Sequence, residues 1–342
     1  MSRFSPGDRV RAVVIVALLA FVLIALPSLF STYWLKVFTG VAIYSVVALG
    51  LGILMGRVGL VSLGQIAVLA LGAWVSARLL FGTGLPFPVV LLASGLITMV
   101  LGTLVGLPAL RLSGLYLALV TLMLAGAITV VLAATDFPNG GTGFLGHTES
   151  ATGGGSVRRP AIAETDPAYF RYTVIFAGLM FLLALGHVRS KAGRAWEVIR
   201  QSEPAALAAG VNTTLYKLWA FALASFMTGV AGGLLAGNVG SLFNYQFPTR
   251  ENIILLAVVL MGGIYSIWGA LVAGILFRYL PALLDTWGLP ADLLTIIFGV
   301  GVLQVLLTAP AGLVDQFPKD MAKLGRLLGR GFRRLAPDAR RT

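Results

Sequence analysis

Of 342 residues, 58% are hydrophobic and only 11% charged, with a mean hydropathy of +0.93. A soluble domain cannot hide that much apolar side chain, so the composition excludes one and predicts an all-α bundle that crosses a membrane many times. The net charge of +12 would suit a nucleic-acid binder. However, most of the Lys and Arg sit in stretches flanking apolar runs, where they set orientation, and a chain without cysteine has no disulfide or thiolate metal site.

The basic N-terminus, with Arg3, Arg9 and Arg11, precedes an apolar run over 13–30 long enough to span rather than be cleaved. The second span is 35–55, with Arg57 marking the inside. The third, 58–80, is rich in glycine at Gly59, Gly64 and Gly72. Gly64 is expected to pack where no side chain fits. Spans follow at 89–107, with Pro108 and Arg111 at its inside end, and at 112–132. The loop 133–169 carries glycine-rich pieces and reads as irregular and outside. Spans at 171–187 and 218–236 bracket a central basic stretch. The next loop, 237–251, holds Phe243, Tyr245 and Phe247, an interfacial aromatic group.

The segment 252–280 is too long for one untilted span and is broken at Gly262-Gly263. A single span there would leave the basic C-terminal tail outside, against the positive-inside rule. A broken, re-entrant hairpin followed by a last span at 293–308 puts it inside. A broken backbone at membrane depth is tolerated only where protein or a cavity surrounds it. The count is therefore about eight to ten membrane segments. The chain divides into a transmembrane domain over 1–314 and a basic tail over 315–342. The tail carries Leu324, Leu327, Leu328 and Phe332 among Lys323, Arg326, Arg330, Arg333 and Arg334. It reads either as a basic amphipathic helix on an anionic lipid surface or as a solvated tail.

The central stretch, 192–218, is polar yet built to fold. Ala195, Val198 and Ile199 give an apolar stripe at helical spacing. Ser202 can cap a second short helix with Pro204 just inside its start, and Gly210 can end it. Arg194 starts the first helix and can fork onto a carboxylate. Glu203 suits the positive end of the second. Ala206 is small enough for another chain to pack over it. The other reading is a loop that only obeys the positive-inside rule.

Catalytic chemistry is not legible. His147 and His187 stand apart from carboxylates, and no G-x-x-x-x-G-K-[ST] run binds ATP. Asp285 and Asp292 flank the last turn, and the spans otherwise lack the ionisable centre a coupled carrier needs. Two stretches of small and polar residues can line a path. One is Gly59-Leu60-Val61-Ser62-Leu63-Gly64-Gln65 and the other runs from Arg111 through Tyr116 to Thr121. Close helix packing is the competing explanation for the first.

Taken together, these stretches carry a resemblance. Gly193-Arg194-Ala195, Ile199-Arg200, Glu203, Ala205-Ala206, Gly210-Val211-Asn212 and Tyr216-Lys217 resemble the cytoplasmic loop of branched-chain amino acid ABC transporter permeases of LivM type. Gly59 to Gln65, the Arg111–Leu122 run, Gly262-Gly263 with Ser266 and Trp268-Gly269, and Pro310 with Gly312-Leu313 resemble further family motifs in the same order. Pro204, Gly126, Tyr265 and Ala270 depart from the pattern. The resemblance covers about residues 40–315.

It implies a permease subunit in a bacterial inner membrane, with both termini cytoplasmic, that translocates branched-chain or related amino acids. It also implies a second permease subunit, two ATP-binding cassette ATPases that carry the ATP and magnesium, and an extracytoplasmic binding protein. The chain itself is then not an enzyme and holds no cofactor or metal. The residues matching the docking loop are Gly193, Arg194, Arg200, Glu203, Ala206 and Gly210. Those assigned to the translocation path are Ser62, Gly64, Gln65, Tyr116, Thr121, Gly262 and Gly263. A channel or carrier acting alone, and a membrane scaffold, are the alternatives from other classes.

Overall fold

The computed structural model describes residues 23–107, 112, 114–134, 157–288, 291–308, 312–314 and 316. The N-terminal basic run, most of the first expected span, the tip of the long loop and the C-terminal tail lie outside them. Every regular element among the described residues is helical. After a short α1 (Leu26–Leu29) come α2 (Thr32–Gly52), α3 (Gln65–Thr83), α4 (Phe87–Gly106) and α5 (Gly114–Ala134). They are followed by α6 (Asp166–Arg189), α7 (Lys191–Gln201), α8 (Glu203–Ala208) and α9 (Thr213–Val239). The last elements are α10 (Arg250–Gly262), α11 (Ile267–Gly274), α12 (Leu280–Thr286) and α13 (Ala291–Thr308).

Two wider π-turns extend the regular helices. Ile53–Val58 lengthens α2, and Ile275–Tyr279 joins α11 to α12. Among the described residues, seven stretches are long and apolar enough to cross a membrane: Thr32–Val58, Gln65–Thr83, Phe87–Leu104, Gly114–Ala134, Asp166–Arg189, Thr213–Val239 and Ile267–Thr286. The stretches centred on α2 and α9 are each 83% buried, against 28% for α5. Hence α2 and α9 form the centre and α5 lies at the margin.

Lipid is as apolar as leucine, so helices associate in it by close packing rather than by water expulsion. That explains the small residues where α9 meets α3 and α4. A Cβ on Gly72 would stand 2.7 Å from Gly229 Cα, and one on Gly232 would stand 2.6 Å from the Ala73 nitrogen. Backbones this near leave no room for a methyl group. The Ser94 hydroxyl of α4 then reaches the Gly72 carbonyl at 2.8 Å and the Gly229 carbonyl at 3.3 Å. Three helices are pinned at one point.

Helix directions follow from the contacts. Asn238 Nδ2 donates to the Lys36 carbonyl at 3.3 Å, while Gly50 lies against Ala224. So α2 runs antiparallel to α9, with Lys36 and Asn238 at what we call the far end. Arg57 lies at the near end, where Nη2 donates to the Tyr265 carbonyl at 2.9 Å. From there the chain turns back through α11 past Val41 and Ser45, and Tyr279 stacks on Phe38 at 5.6 Å. It thus returns to the far end. Gly301 of α13 meets Met261, and Gly312 packs on Gly263, which brings the chain to the near end again.

The break falls at Gly262-Gly263, where Gly263 has φ 112° and ψ 101°. Its arms are unequal. The first, α10, has 13 residues and is too short to cross alone, whereas Ile267–Thr286 has 20. The third span begins later than the sequence pattern suggests. Helix starts only at Gln65, because Gly59 takes φ 84° and the Leu60 N–H turns back to the Leu54 carbonyl at 2.9 Å. At α6 the helix instead starts early, at Asp166, which is paired with Arg159 at 2.7 Å.

The α3–α9 crossing makes a direct prediction. Gly72→Ala should destabilise the detergent-purified protein by about 1–3 kcal/mol through overpacking. Gly178→Ala, on α6 with nothing within 4 Å of its Cβ position, should not. Thermal unfolding of the two variants checks this, and equal melting temperatures would refute the packing account.

Candidate functional site

Two groups of expected residues assemble at different depths. The first is the α7–α8 unit at the near end. Ser190 Oγ accepts from the Ala192 N–H at 3.1 Å and starts α7. Gly193 packs directly on the Val188 carbonyl, where a Cβ would overlap it, so the turn from α6 into α7 needs glycine. The buried face is Gly193, Ala195, Trp196 and Ile199. Trp196 is fully buried, and its Nε1 donates to the Tyr216 carbonyl at 2.8 Å. The expected stripe is thus shifted: Val198 is 37% exposed and Trp196 takes its place. Helix α7 begins at Lys191, so Arg194 lies one turn in rather than at the start.

In α8, Ser202 Oγ accepts from the Ala205 N–H at 3.3 Å and Pro204 lies in the first turn. Gly210 ends the unit with φ 77°. Its N–H donates to Leu207 O and the Val211 N–H to Ala206 O, both at 2.9 Å, satisfying carbonyls the helix end leaves free. Lys217 on α9 reaches back to Glu203, Nζ to Oε1 at 2.6 Å, with the lysine side chain only 9% exposed and the glutamate 46%. The unit is therefore a folded part held on the end of α9, not a slack loop.

Two expectations are corrected. Ala206 is fully buried in the chain's own core and offers no surface to another protein. Glu203 already has a basic partner inside the molecule. The open face is made instead by Arg194, Val198, Pro204, Ala205 and Leu207, Leu207 being 57% exposed. Arg200 is also exposed, and its guanidinium lies 5.0 Å from the Tyr265 ring centre.

The second group surrounds residues 59–64, which run without helical structure between α2 and α3. Backbone N–H groups at this depth need partners that helix would have supplied. The Leu63 N–H donates to Thr121 Oγ1 at 2.9 Å, and that hydroxyl donates on to the Ala118 carbonyl at 3.0 Å. The Ile66 N–H donates to Asn252 Oδ1 at 2.9 Å. Asn252 is held in turn by its Nδ2 bond to the Thr249 carbonyl at 3.1 Å. Thr228 Oγ1 donates to Gln65 Oε1 at 2.9 Å. Ser62, Gln65, Thr121, Thr228 and Asn252 are all buried. Four helices and one non-helical stretch thus share a buried polar seam.

Ser62, Gln65 and Thr121 therefore lie together around this stretch. Tyr116 does not join them; it is 73% exposed on α5, because that helix turns its Leu117, Ala118, Thr121, Ala125 and Leu132 face inward. Gly64 is no tight contact either. A Cβ there would meet the Thr121 carbonyl at an ordinary 3.5 Å, and the steric need for glycine lies at Gly72 instead. Gly262 and Gly263 belong to the crossing with Gly269 and Gly312, nearer Tyr265 than the seam. Asn252, Thr228 and Trp196 escaped the sequence reading, and Lys217, matched there only as part of the loop motif, proves to be the inner anchor of α8. The signal for Thr228 was a hydroxyl inside an apolar run, whereas Asn252 stands at the edge of one, after Arg250 and Glu251. Only the fold shows whom they meet.

The seam is testable. Thr121→Val keeps the shape but leaves the Leu63 N–H buried without its acceptor, at a cost of about 1–3 kcal/mol. Thr129→Val removes a hydroxyl bonded only to its own helix, at Ala125 O, and should cost much less. Denaturation of the two purified variants gives the comparison, and similar losses would show that the Leu63 bond is immaterial.

The family model described as branched-chain amino acid transport system / permease component matches residues 33–306. The chain is 30% identical over 290 residues to the high-affinity branched-chain amino acid transport system permease protein LivM of Salmonella typhimurium, covering 79% of this chain and 68% of that protein. The Escherichia coli protein of the same name matches with the same identity and coverage. No solved structure matches. The match runs through α2, the polar seam, the α7–α8 unit and the broken α10–α11 segment, and on it the chain belongs to the branched-chain amino acid transport system permease family.

Proposed function

We propose that this chain is the membrane-spanning permease subunit of an ATP-binding cassette importer that moves branched-chain or related amino acids inward. A binding protein outside delivers the solute, a second permease completes the path, and two ATPases bind and hydrolyse ATP with magnesium. The carrying observation is the α7–α8 unit. It is capped at both starts, anchored by Trp196 and Lys217, and leaves Arg194, Val198 and Leu207 open at its outer face. A loop that served only charge balance would have no need of such a frame.

In this reading the near end faces the cytoplasm of a bacterial cell, with both chain termini on that side. The ATPases grip the outer face of α7–α8. When ATP draws them together, the unit moves and the helices around the polar seam change which side is open. Transport is coupled only if the ATP-bound and free states differ in their contacts to this unit. The seam supplies hydrogen-bonding groups along a path that otherwise presents apolar side chains. Those groups suit a solute that is polar at one end and aliphatic at the other. The basic tail over 315–342 adds an attraction to the anionic inner lipid surface.

Two experiments test the reading. Leu207→Glu changes an exposed side chain and should leave insertion intact. Loss of an interface anchor costs 1.4 kcal/mol or more, so ATPase recovered with the purified chain should fall by about tenfold or more. Wild-type recovery would remove the docking claim. For orientation, Ser202→Cys and Trp287→Cys each place one thiol in a chain that has none. The reading requires an impermeant reagent added outside to label Trp287→Cys at the far end and spare Ser202→Cys. The opposite pattern would invert the topology.

A further inference from the structure

Helix α10 touches both assemblies described above. At its near end lies the turn that follows Gly263. The Ile264 carbonyl packs against Gly56 at the end of α2, where a Cβ would overlap it. Arg57 Nη2 donates to the Tyr265 carbonyl at 2.9 Å. The Arg200 guanidinium of α7 lies over the Tyr265 ring at 5.0 Å, and Arg200 Cγ would sit 3.3 Å from a Cβ on Gly59. One turn is therefore gripped by α2 and by the α7–α8 unit together. At the other end of α10, Asn252 holds the Ile66 N–H at 2.9 Å, just past the extended stretch that ends at Gly64. The helix from Asn252 to Gly262 separates these grips, about 15 Å of helix.

We propose that α10 is a lever that carries movement of α7 to the polar seam, and that Tyr265 is the positioning residue by which Arg200 drives it. This rests on the reading of α7–α8 as the ATPase-docking unit. A helix transmits a push along its axis because its own hydrogen bonds keep its length. One end of α10 is tied to the first turn of α3, at Ile66 beside the non-helical stretch 59–64, and the other runs into the non-helical turn 263–266; such non-helical segments can shift without breaking a helix. At the Gly263 break, φ 112°, Gly262 packs on the Gly269 backbone of α11, so a push on the turn moves the near ends of α10 and α11 together. The tie at Tyr265 uses the face of the ring, not its hydroxyl. The bond from Arg57 goes to the main chain and survives any side-chain change at 265.

The test uses the complete transporter with its natural ATPase and binding protein in lipid vesicles, and radiolabelled leucine as the probe. The readouts are ATPase recovered with the chain and ATP hydrolysed per leucine moved. Tyr265→Ala should leave recovery at the wild-type level and raise ATP per leucine by about two- to fivefold, the factor a single exposed cation–π pair carries. Tyr265→Phe keeps the ring and should restore the wild-type ratio, while Arg200→Gln should reproduce Tyr265→Ala. Asn252→Ser, too short to reach Ile66, should raise the ratio as well. The double variant with Tyr265→Ala should be no worse than the more severe single, since both cut one rod. A wild-type ratio in Tyr265→Ala, a Tyr265→Phe as impaired as the alanine, or additive effects in the double variant would each overturn the lever. Should Tyr265→Ala fail to insert, Arg200→Gln decides by the same ratio, because it alters only an exposed side chain. A wild-type chain recovered without any ATPase sinks the docking reading and the lever with it. Failure confined to the variants sinks the lever alone.

Discussion

Peptide groups at membrane depth must find hydrogen-bond partners inside the protein, and the stretch 59–64 is where this chain meets that constraint without a helix. The Leu63 N–H uses Thr121 and the Ile66 N–H uses Asn252. Each acceptor lies on a different helix, so α3 cannot start at Gln65 unless α5 and α10 are already in place. The seam is thus a product of the assembled bundle. It also places hydroxyl and amide groups in an interior that composition alone would make uniformly apolar.

Close packing of α3, α4 and α9 makes the seam rigid on one side. Backbone contacts at Gly72, Gly229 and Gly232, joined by the Ser94 hydroxyl, leave those three helices little freedom to slide. The opposite side is different. There α10 is short, breaks at Gly263 and is held at its near end by Arg57, Arg200 and Gly56. Gly262, Gly269 and Gly312 also pack backbone to backbone there, but around a helix that is broken rather than continuous.

The α7–α8 unit joins this half to the surface. Its inner face is fixed by an indole bond and a largely buried lysine, while its outer face carries mixed charge and exposed aliphatic groups. The Lys217–Glu203 pair is half open to solvent on the glutamate side, so it orients α8 more than it stabilises it. Trp196 contributes more, since a fully buried indole with its N–H satisfied sets the angle at which the unit leaves the bundle.

Local chemistry was enough to read the helical membrane class, most span limits, the Ser202 cap, the Gly210 stop and the break at Gly262-Gly263. Each depends on residues within a few positions of one another: an apolar run, a capping hydroxyl, a glycine that accepts positive φ. The family was legible for a related reason, as ordered short motifs survive in sequence. What tertiary structure alone decided is which faces those elements turn inward. Ala206 looked like a contact point and proved buried, while Tyr116 proved exposed, away from Thr121 on the same helix. In an apolar solvent such as lipid, inward and outward faces share one composition, so hydropathy cannot tell them apart. Likewise Gly64 and Gly72 look equivalent in sequence. Only the distance to a neighbouring backbone, 3.5 Å against 2.7 Å, shows which of them the fold cannot replace.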